Sequence, residues 1–340
     1  IYSLLTDEVE LDFVFHFMAR FFTEENLVAF IDYLSDEFNL YLSLMILIFG
    51  IIGNIFNCFV LRQKKLRHNP CAFYFLSSSI ISLISICFGL PSKILASWHR
   101  DPTDTNDFLC KLRAFIVFAS RTMSIWIIMF ATIDRAFLSS RNANLRKYNN
   151  LKITKLSILI SFYVSVFSYT HMFNCYKANL NGTPLKCYSQ TKMCHLTTNL
   201  VYVFITILIP LIIMSIFSFL IITNIRELRQ RAHQTIMFGR NQLMRRTDQN
   251  LLRMLFVQVF FLMSFCIPQA LHKFYITFQL PAHKHDWRDA LNKLFYNIDV
   301  LLAFITNAMP FYLYTLTGGT VFRKAFLNCI ESIQEKFYHC

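Results

Sequence analysis

The chain has 340 residues, of which 55% are hydrophobic and only 16% charged, with a mean hydropathy of +0.43 and a formal net charge of +13. An ordinary soluble domain is about 25% charged, so this chain carries more apolar surface than one soluble core can hide, and lipid is its expected surroundings. The positive charge falls between apolar runs and not in one patch, which argues against a nucleic-acid partner and for membrane orientation.

Residues 1–39 differ from the rest. They hold nine acidic side chains (Asp7, Glu8, Glu10, Asp12, Glu24, Glu25, Asp32, Asp36 and Glu37) against the single Arg20, interleaved with Phe13, Phe17, Phe21 and Phe22. This reads as a non-cytoplasmic segment with some amphipathic helix; a ligand-gathering role is the alternative. The chain starts at Ile1 without the basic start and small-residue cleavage site of a signal peptide, which points to a fragment or a trimmed start.

A membrane domain is expected over 40–318. Seven apolar runs, each long enough to span, lie at 40–62, 71–97, 108–137, 152–174, 198–224, 251–279 and 291–316. The connector after the first carries Arg62, Lys64, Lys65 and Arg67. The one after the third carries Arg141, Arg146, Lys147 and Lys152, and the one after the fifth carries Arg226, Arg229, Arg231, Arg240, Arg245 and Arg246. Basic loops face the cytoplasm, so all three belong there. The alternate connectors hold Asp101, Asp104 and Asp107, then the sequon Asn181-Gly182-Thr183, then a histidine-rich loop at His283 and His285. A sequon is glycosylated in the lumen, so both cues put the N-terminus outside, the C-terminus inside, and the chain in the plasma membrane as a multi-pass protein.

The third run organises the others. From Cys110 to Arg135 is roughly 37 Å of helix, enough to cross a hydrocarbon core of about 30 Å, with a cysteine at the oxidising rim and Asp134-Arg135 at the cytoplasmic edge. Pro91, Pro210, Pro268 and Pro310 sit singly inside runs; in a bundle, neighbours satisfy the carbonyls they free, so kinks or hinges are expected there.

Gly53-Asn54, Cys110, Asp134-Arg135, Pro210, Pro268, and Pro310 to Tyr314 followed by Phe322-Arg323 resemble the marker positions of rhodopsin-like G-protein-coupled receptors. The sequence departs at Ala136, where the family has tyrosine, at Ser82 for its aspartate, at Cys266 for its tryptophan, and in having no tryptophan in the fourth span. It is similar to invertebrate neuropeptide receptors of the FMRFamide-receptor kind. The resemblance implies an all-α membrane protein, a seven-transmembrane bundle with a short amphipathic eighth helix, coupled to a heterotrimeric G protein. It also implies a sodium site, but Ser82 and Ser124 offer only hydroxyls and Pro310 nothing, so a hard cation is poorly held.

Amine receptors of the family place an aspartate where this chain has Val117, so an aminergic ligand is not expected. Cys110, Ala114, Val117, Arg121 and Ser124 share one helix face, which sets Arg121 roughly 16 Å below the rim. A charge at that depth has a task or a partner; it either contacts ligand or pairs with Asp299, the acid in the spans nearest that depth. Lys93, Gln269, His272 and Lys273 are expected to make the vestibule basic and polar, or simply to be solvated rim. The expected ligand is an extracellular peptide or small molecule.

Ten cysteines and ten histidines are scattered without Cys-x-x-Cys, His-Glu-x-x-His or a glycine-rich phosphate loop, so no enzyme, cofactor or metal centre is expected. A transporter would show repeats or glycine-broken helices, yet glycine totals seven and no repeat is visible. A chemosensory receptor for small molecules is the alternative within the receptor class.

Cys175, Cys187 and Cys194 are open as partners of Cys110. Cys175 and Cys194 are each tied to a helix end whereas Cys187 has slack to cross over, so Cys110–Cys187 is the expected bridge. Residues 319–340 read as an amphipathic helix on the inner membrane surface, with a stripe of Val321, Phe322, Ala325, Phe326, Cys329, Ile330 and Ile333. Cys329 is a candidate palmitoylation site or a plain buried cysteine. The resemblance further implies that Arg135 is held at rest by Asp134 and by Asp248, twenty residues before Pro268, with Tyr314 in the same switch. Asp248 as a mere helix cap is the alternative.

Overall fold

The structure is a computed structural model. It describes residues 24–63, 66, 69–98, 100–180, 186–234, 246–278 and 286–318, together with 322, 323, 326, 327 and 331. Seven long helices dominate: α1 (Glu24–Leu61), α2 (Pro70–Ser97), α3 (Asp107–Ser139), α4 (Leu151–Tyr169), α5 (Lys192–Val201, continuing through Tyr202–Leu208 and Ile209–Gln234), α6 (Arg246–Phe278) and α7 (Asp286–Ala308, continuing as Pro310–Thr317). Six are long and apolar enough to cross a membrane, and α7 makes a seventh if it is read across its 47° bend.

Polar residues between the apolar runs set the helix starts. Asn69, Asn106, Asn150 and Thr191 each accept a hydrogen bond from a backbone amide of the first turn, and Pro70 opens α2 where its missing N–H costs nothing. Pro310 makes the bend of α7. Ahead of Pro210, α5 widens into a π-helical turn over Tyr202–Leu208, and the Trp126 indole donates to the Ile205 carbonyl at 2.9 Å. Local widening beside a proline is one way in which a helix absorbs the missing donor.

Packing places α3 at the centre, touching α2, α4, α5 and α6, while α7 returns to α1 and closes the ring. The main core runs through Leu61, Phe75, Ile127, Met214, Leu255 and Tyr314. Facing outward are Phe167, Phe219 and Phe260, which are 74%, 69% and 73% exposed. An apolar perimeter of this kind is stable against lipid and not against water, so the chain is a multi-pass membrane protein.

Several helices extend beyond their apolar runs. α1 runs unbroken from Glu24 across residue 39, roughly 57 Å in all, with Leu27 and Ile31 buried against Ala290 of α7. Likewise α5 starts at Lys192, α6 at Arg246 and α7 at Asp286, each earlier than its apolar run. Hydropathy marks the lipid-embedded length, whereas polar turns carry the helices beyond it, capped by Thr191 at α5 and held by packing on α7 at α1.

Of the C-terminal stripe, Phe322 is buried with its ring against Phe311 and Tyr314, and Phe326 meets Phe56 and Phe311. This part of the stripe therefore docks on the bundle. Cys329 and Asn181 lie outside the described residues.

Candidate functional site

One end of the bundle carries a cavity of about 100 Å³ whose walls come from α2, α3, α5, α6, α7 and the α4–α5 connector. In that connector β1 (Tyr176–Lys177) pairs antiparallel with β2 (Tyr188–Ser189), so two tyrosines hang over the cavity. Cys187 is bonded to Cys110 on α3, with Cα atoms 5.6 Å apart, and pins this hairpin over the bundle. Cys175 and Cys194 form a second bridge, closing a 19-residue separation. The reading of each as tied to its own helix end overlooked that α4 and α5 bring those ends together. Burial, reinforced by the neighbouring phenols of Tyr296 and Tyr176, pushes the Tyr188 phenol well above the usual tyrosine range. It therefore stays protonated and lies 2.8 Å from His195 Nε2.

Of the residues singled out in the sequence, Lys93, Val117, Arg121, Gln269, Lys273 and Asp299 all line the cavity. His272 stands behind Asp299, hydrogen-bonded to it through Nδ1, and is not a wall residue. Arg121 is only 3% exposed. Its Nη2 donates to Gln269 Oε1 at 2.8 Å, its Nη1 to Thr306 Oγ1 at 3.2 Å and to the Ala303 carbonyl, and the guanidinium lies 5.7 Å from the Tyr202 ring centre.

Of the two alternatives for Arg121, the pair with Asp299 is thus not formed. Asp299 is one helical turn nearer the hairpin than Ala303, and Thr306 is deeper still, so Arg121 meets α7 below the carboxylate, which His272 takes instead. Lys93 is not solvated rim either. It is 2% exposed and donates to Asn39 at 3.2 Å and Asn297 at 3.1 Å. Lys273 lies over the Tyr296 ring, 4.5 Å from its centre.

Three buried side-chain atoms here have no partner: Arg121 Nε, Gln269 Nε2 and His272 Nε2. Sequence reading missed Tyr176, Tyr188, Tyr202, Tyr296 and Phe304. Only Tyr296 left a signal, standing one turn from Asp299; the others reach the wall through the hairpin or through helix rotation.

In the cavity wall Asn307 donates to Ser85 at 3.2 Å, and beyond it the hydroxyls of Ser78 and Ser82 meet Ser124 Oγ at 2.9 and 3.2 Å. The donor set is neutral throughout, a poor match for a hard cation.

The opposite end centres on Arg135, 1% exposed. Asp134 Oδ2 accepts from its Nε and Nη2 at 3.2 and 3.0 Å, and Asp248 Oδ1 from its Nη1 at 3.1 Å. Asn69, the N-cap of α2, accepts from Arg135 Nη2 at 3.2 Å and donates to Asp248 at 2.9 Å, while Asn149 donates to Asp134 at 2.7 Å. Neither asparagine was foreseen. Tyr314 is buried and hydrogen-bonded to Gln258, packed on Phe75 at 4.8 Å between ring centres, and makes no hydrogen bond to Arg135 among the described residues.

Comparison with known proteins agrees with this architecture. The family model described as "7 transmembrane receptor (rhodopsin family)" matches residues 53–314. The Pyrokinin-1 receptor of Drosophila melanogaster is 24% identical over 91 residues, 27% of this chain and 21% of that protein. The Neuromedin-U receptor 2 of Mus musculus is 25% identical over 126 residues, 36% of this chain and 32% of that receptor, so these two matches span about a third or less of each relative. The human Neuromedin-U receptor 2 is 19% identical over 312 residues, covering 86% and 71% of the two chains. With seven long helices packed about the central α3, Asp134-Arg135 at one end and a cysteine-pinned hairpin at the other, and a family match over most of its length, this chain belongs to the rhodopsin family of seven-transmembrane receptors.

Proposed function

We propose that this chain is a plasma-membrane receptor, with its N-terminus and hairpin outside, that converts binding of an extracellular peptide into activation of a heterotrimeric G protein. The observation that carries the reading is the pairing of a cavity holding unsatisfied buried polar atoms at one end with a charge-locked Arg135 at the other. Buried polar groups without partners are costly, so those at the cavity await a ligand's hydrogen bonds. The two ends share helices α3, α6 and α7, and a small rearrangement at Arg121, Gln269 and Ala303 is transmitted along α6 to Asp248.

In this reading Lys93, Val117, Arg121, Gln269, His272, Lys273 and Asp299 belong to the ligand site. Asp134, Arg135, Asp248 and Tyr314 form the switch, and outward movement of α6 frees Arg135 for the G protein. The likeness to receptors named for the neuropeptides pyrokinin and neuromedin-U favours a peptide over the small-molecule alternative. Membership of the receptor family sets aside a transporter.

The test is a second-messenger assay on cells expressing the full chain with an N-terminal epitope tag, challenged with a synthetic neuropeptide library. Labelling of the tag on intact cells and a saturable response to some peptide are expected. Tag labelling only after permeabilisation rejects the orientation, and silence across the library at verified surface expression rejects the peptide-receptor reading.

A further inference from the structure

We infer that the cavity takes a ligand through a carboxylate, an assignment of ligand chemistry that rests on the receptor reading above. Among the described residues four cations line the wall, Lys93, Arg113, Arg121 and Lys273, against the single carboxylate of Asp299. Arg113 has its own acid, Asp101, at 3.5 Å. Asp299 is engaged by His272 and also faces Lys273. However Asp299 is shared between those two, Lys93 and Arg121 have no anion among the described residues. Their partners are neutral: Asn39 and Asn297 for Lys93, and Gln269, Thr306 and the Ala303 carbonyl for Arg121.

Two cations buried without a counter-ion are an expensive arrangement for a protein interior, and a ligand anion is what completes it. Two of the unpartnered atoms, both on the cavity wall, point the same way. Gln269 Oε1 already accepts from Arg121 and from the Tyr202 hydroxyl at 3.0 Å, which leaves its Nε2 as a free donor beside the free Nε of Arg121. Two idle donors next to excess positive charge match the acceptor oxygens of a carboxylate, and offer nothing to the N–H groups of a terminal amide or to an ammonium.

A carboxylate has two sources in a peptide, its free C-terminus or an Asp or Glu side chain, and matched probes separate them. The probes are acetylated phenylalanyl-leucine as the free acid and as its C-terminal amide, and acetylated phenylalanyl-glutamate amide beside phenylalanyl-glutamine amide. Each is added at millimolar concentration to the purified full chain in detergent, and thermal unfolding is followed. The acid member of at least one pair is expected to raise the melting temperature by roughly 2 °C or more while its neutral twin does not. Lys93→Met and Arg121→Gln should each remove most of that rise, whereas Lys273→Gln, whose cation already faces Asp299, should remove less of it.

Equal shifts within both pairs, or no shift with either acid, overturn the carboxylate site. Signalling separates this from the receptor reading. Peptides that signal but lose less than tenfold potency when their carboxylates become amides leave a receptor without the anion site. An acid-specific melting shift with no signalling peptide leaves the anion site without the peptide-receptor function.

Discussion

At Arg135 one side chain joins three helices. Its guanidinium is buried between Asp134 of α3 and Asp248 of α6, and Asn69 ties both to the start of α2. Asp248 is 19% exposed, so part of the Arg135–Asp248 attraction is screened, and the pair is worth about 1 kcal/mol, enough to bias a two-state equilibrium about fivefold without locking it. Asp248→Asn keeps a first-turn acceptor and the reach to Asn69 but removes the charge. It should raise basal second-messenger signalling several-fold at equal surface expression; unchanged basal activity would reduce Asp248 to a helix-end acceptor. Arg121 shows the same logic at the other end: depth told from the sequence that it needs partners, but which partners depended on where α7 stands along the membrane normal.

At the scale of elements, the hairpin and the C-terminal turn are where short segments hold long ones. The Cys110–Cys187 bridge anchors the hairpin whose Tyr176 and Tyr188 roof the cavity, whereas Cys175–Cys194 only ties α4 to α5. Each bridge contributes about 2–4 kcal/mol. The double variant Cys175→Ser with Cys194→Ser should unfold at lower temperature yet keep most of its ligand response, while Cys110→Ser with Cys187→Ser should lose that response; equal losses would contradict the distinction. At the far end, a Cβ on Gly318 would lie 2.6 Å from the Tyr314 carbonyl oxygen and 2.7 Å from Phe322 Cβ. The first neighbour is backbone and cannot swing aside, so Gly318→Ala should cost about 1–3 kcal/mol and lower surface expression. Arg323 strengthens the same turn, donating to the Thr315 and Leu316 carbonyls at 3.0 and 3.3 Å.

For the molecule as a whole, the long α1 belongs to the bundle beyond its apolar run. Leu27 and Ile31 pack on Ala290, and Ser35 accepts from Asn297, which in turn receives Lys93. Lys293 also meets Asp32 at 2.9 Å, but both side chains are more than a third exposed. Exposed ion pairs contribute about 0–1 kcal/mol, and removing a buried leucine costs about 2 kcal/mol or more. Thermal unfolding should therefore register Leu27→Ala clearly and Lys293→Ala barely; the reverse order would mean that charge, not packing, holds α1 to α7.

What the sequence by itself determined is the membrane class, the seven helices in order, and which residues stand at which depth. Cys110, Arg121 and Asp134-Arg135 all fall at the levels that counting along one helix sets, because hydropathy and helical rise are properties of a local stretch of chain. The starts of α1, α5, α6 and α7 escaped it, since polar turns continue a helix once side chains cap and pack it. Only the tertiary structure decided that Arg121 meets Ala303 and Gln269 instead of Asp299, that Lys93 is sealed between Asn39 and Asn297, that Cys175 finds Cys194, and that Phe322 docks on the bundle. Each of these is a contact between helices, fixed by their mutual rotation and axial offset. Those follow from ridges packing into grooves across the whole bundle, and no single stretch of sequence carries them.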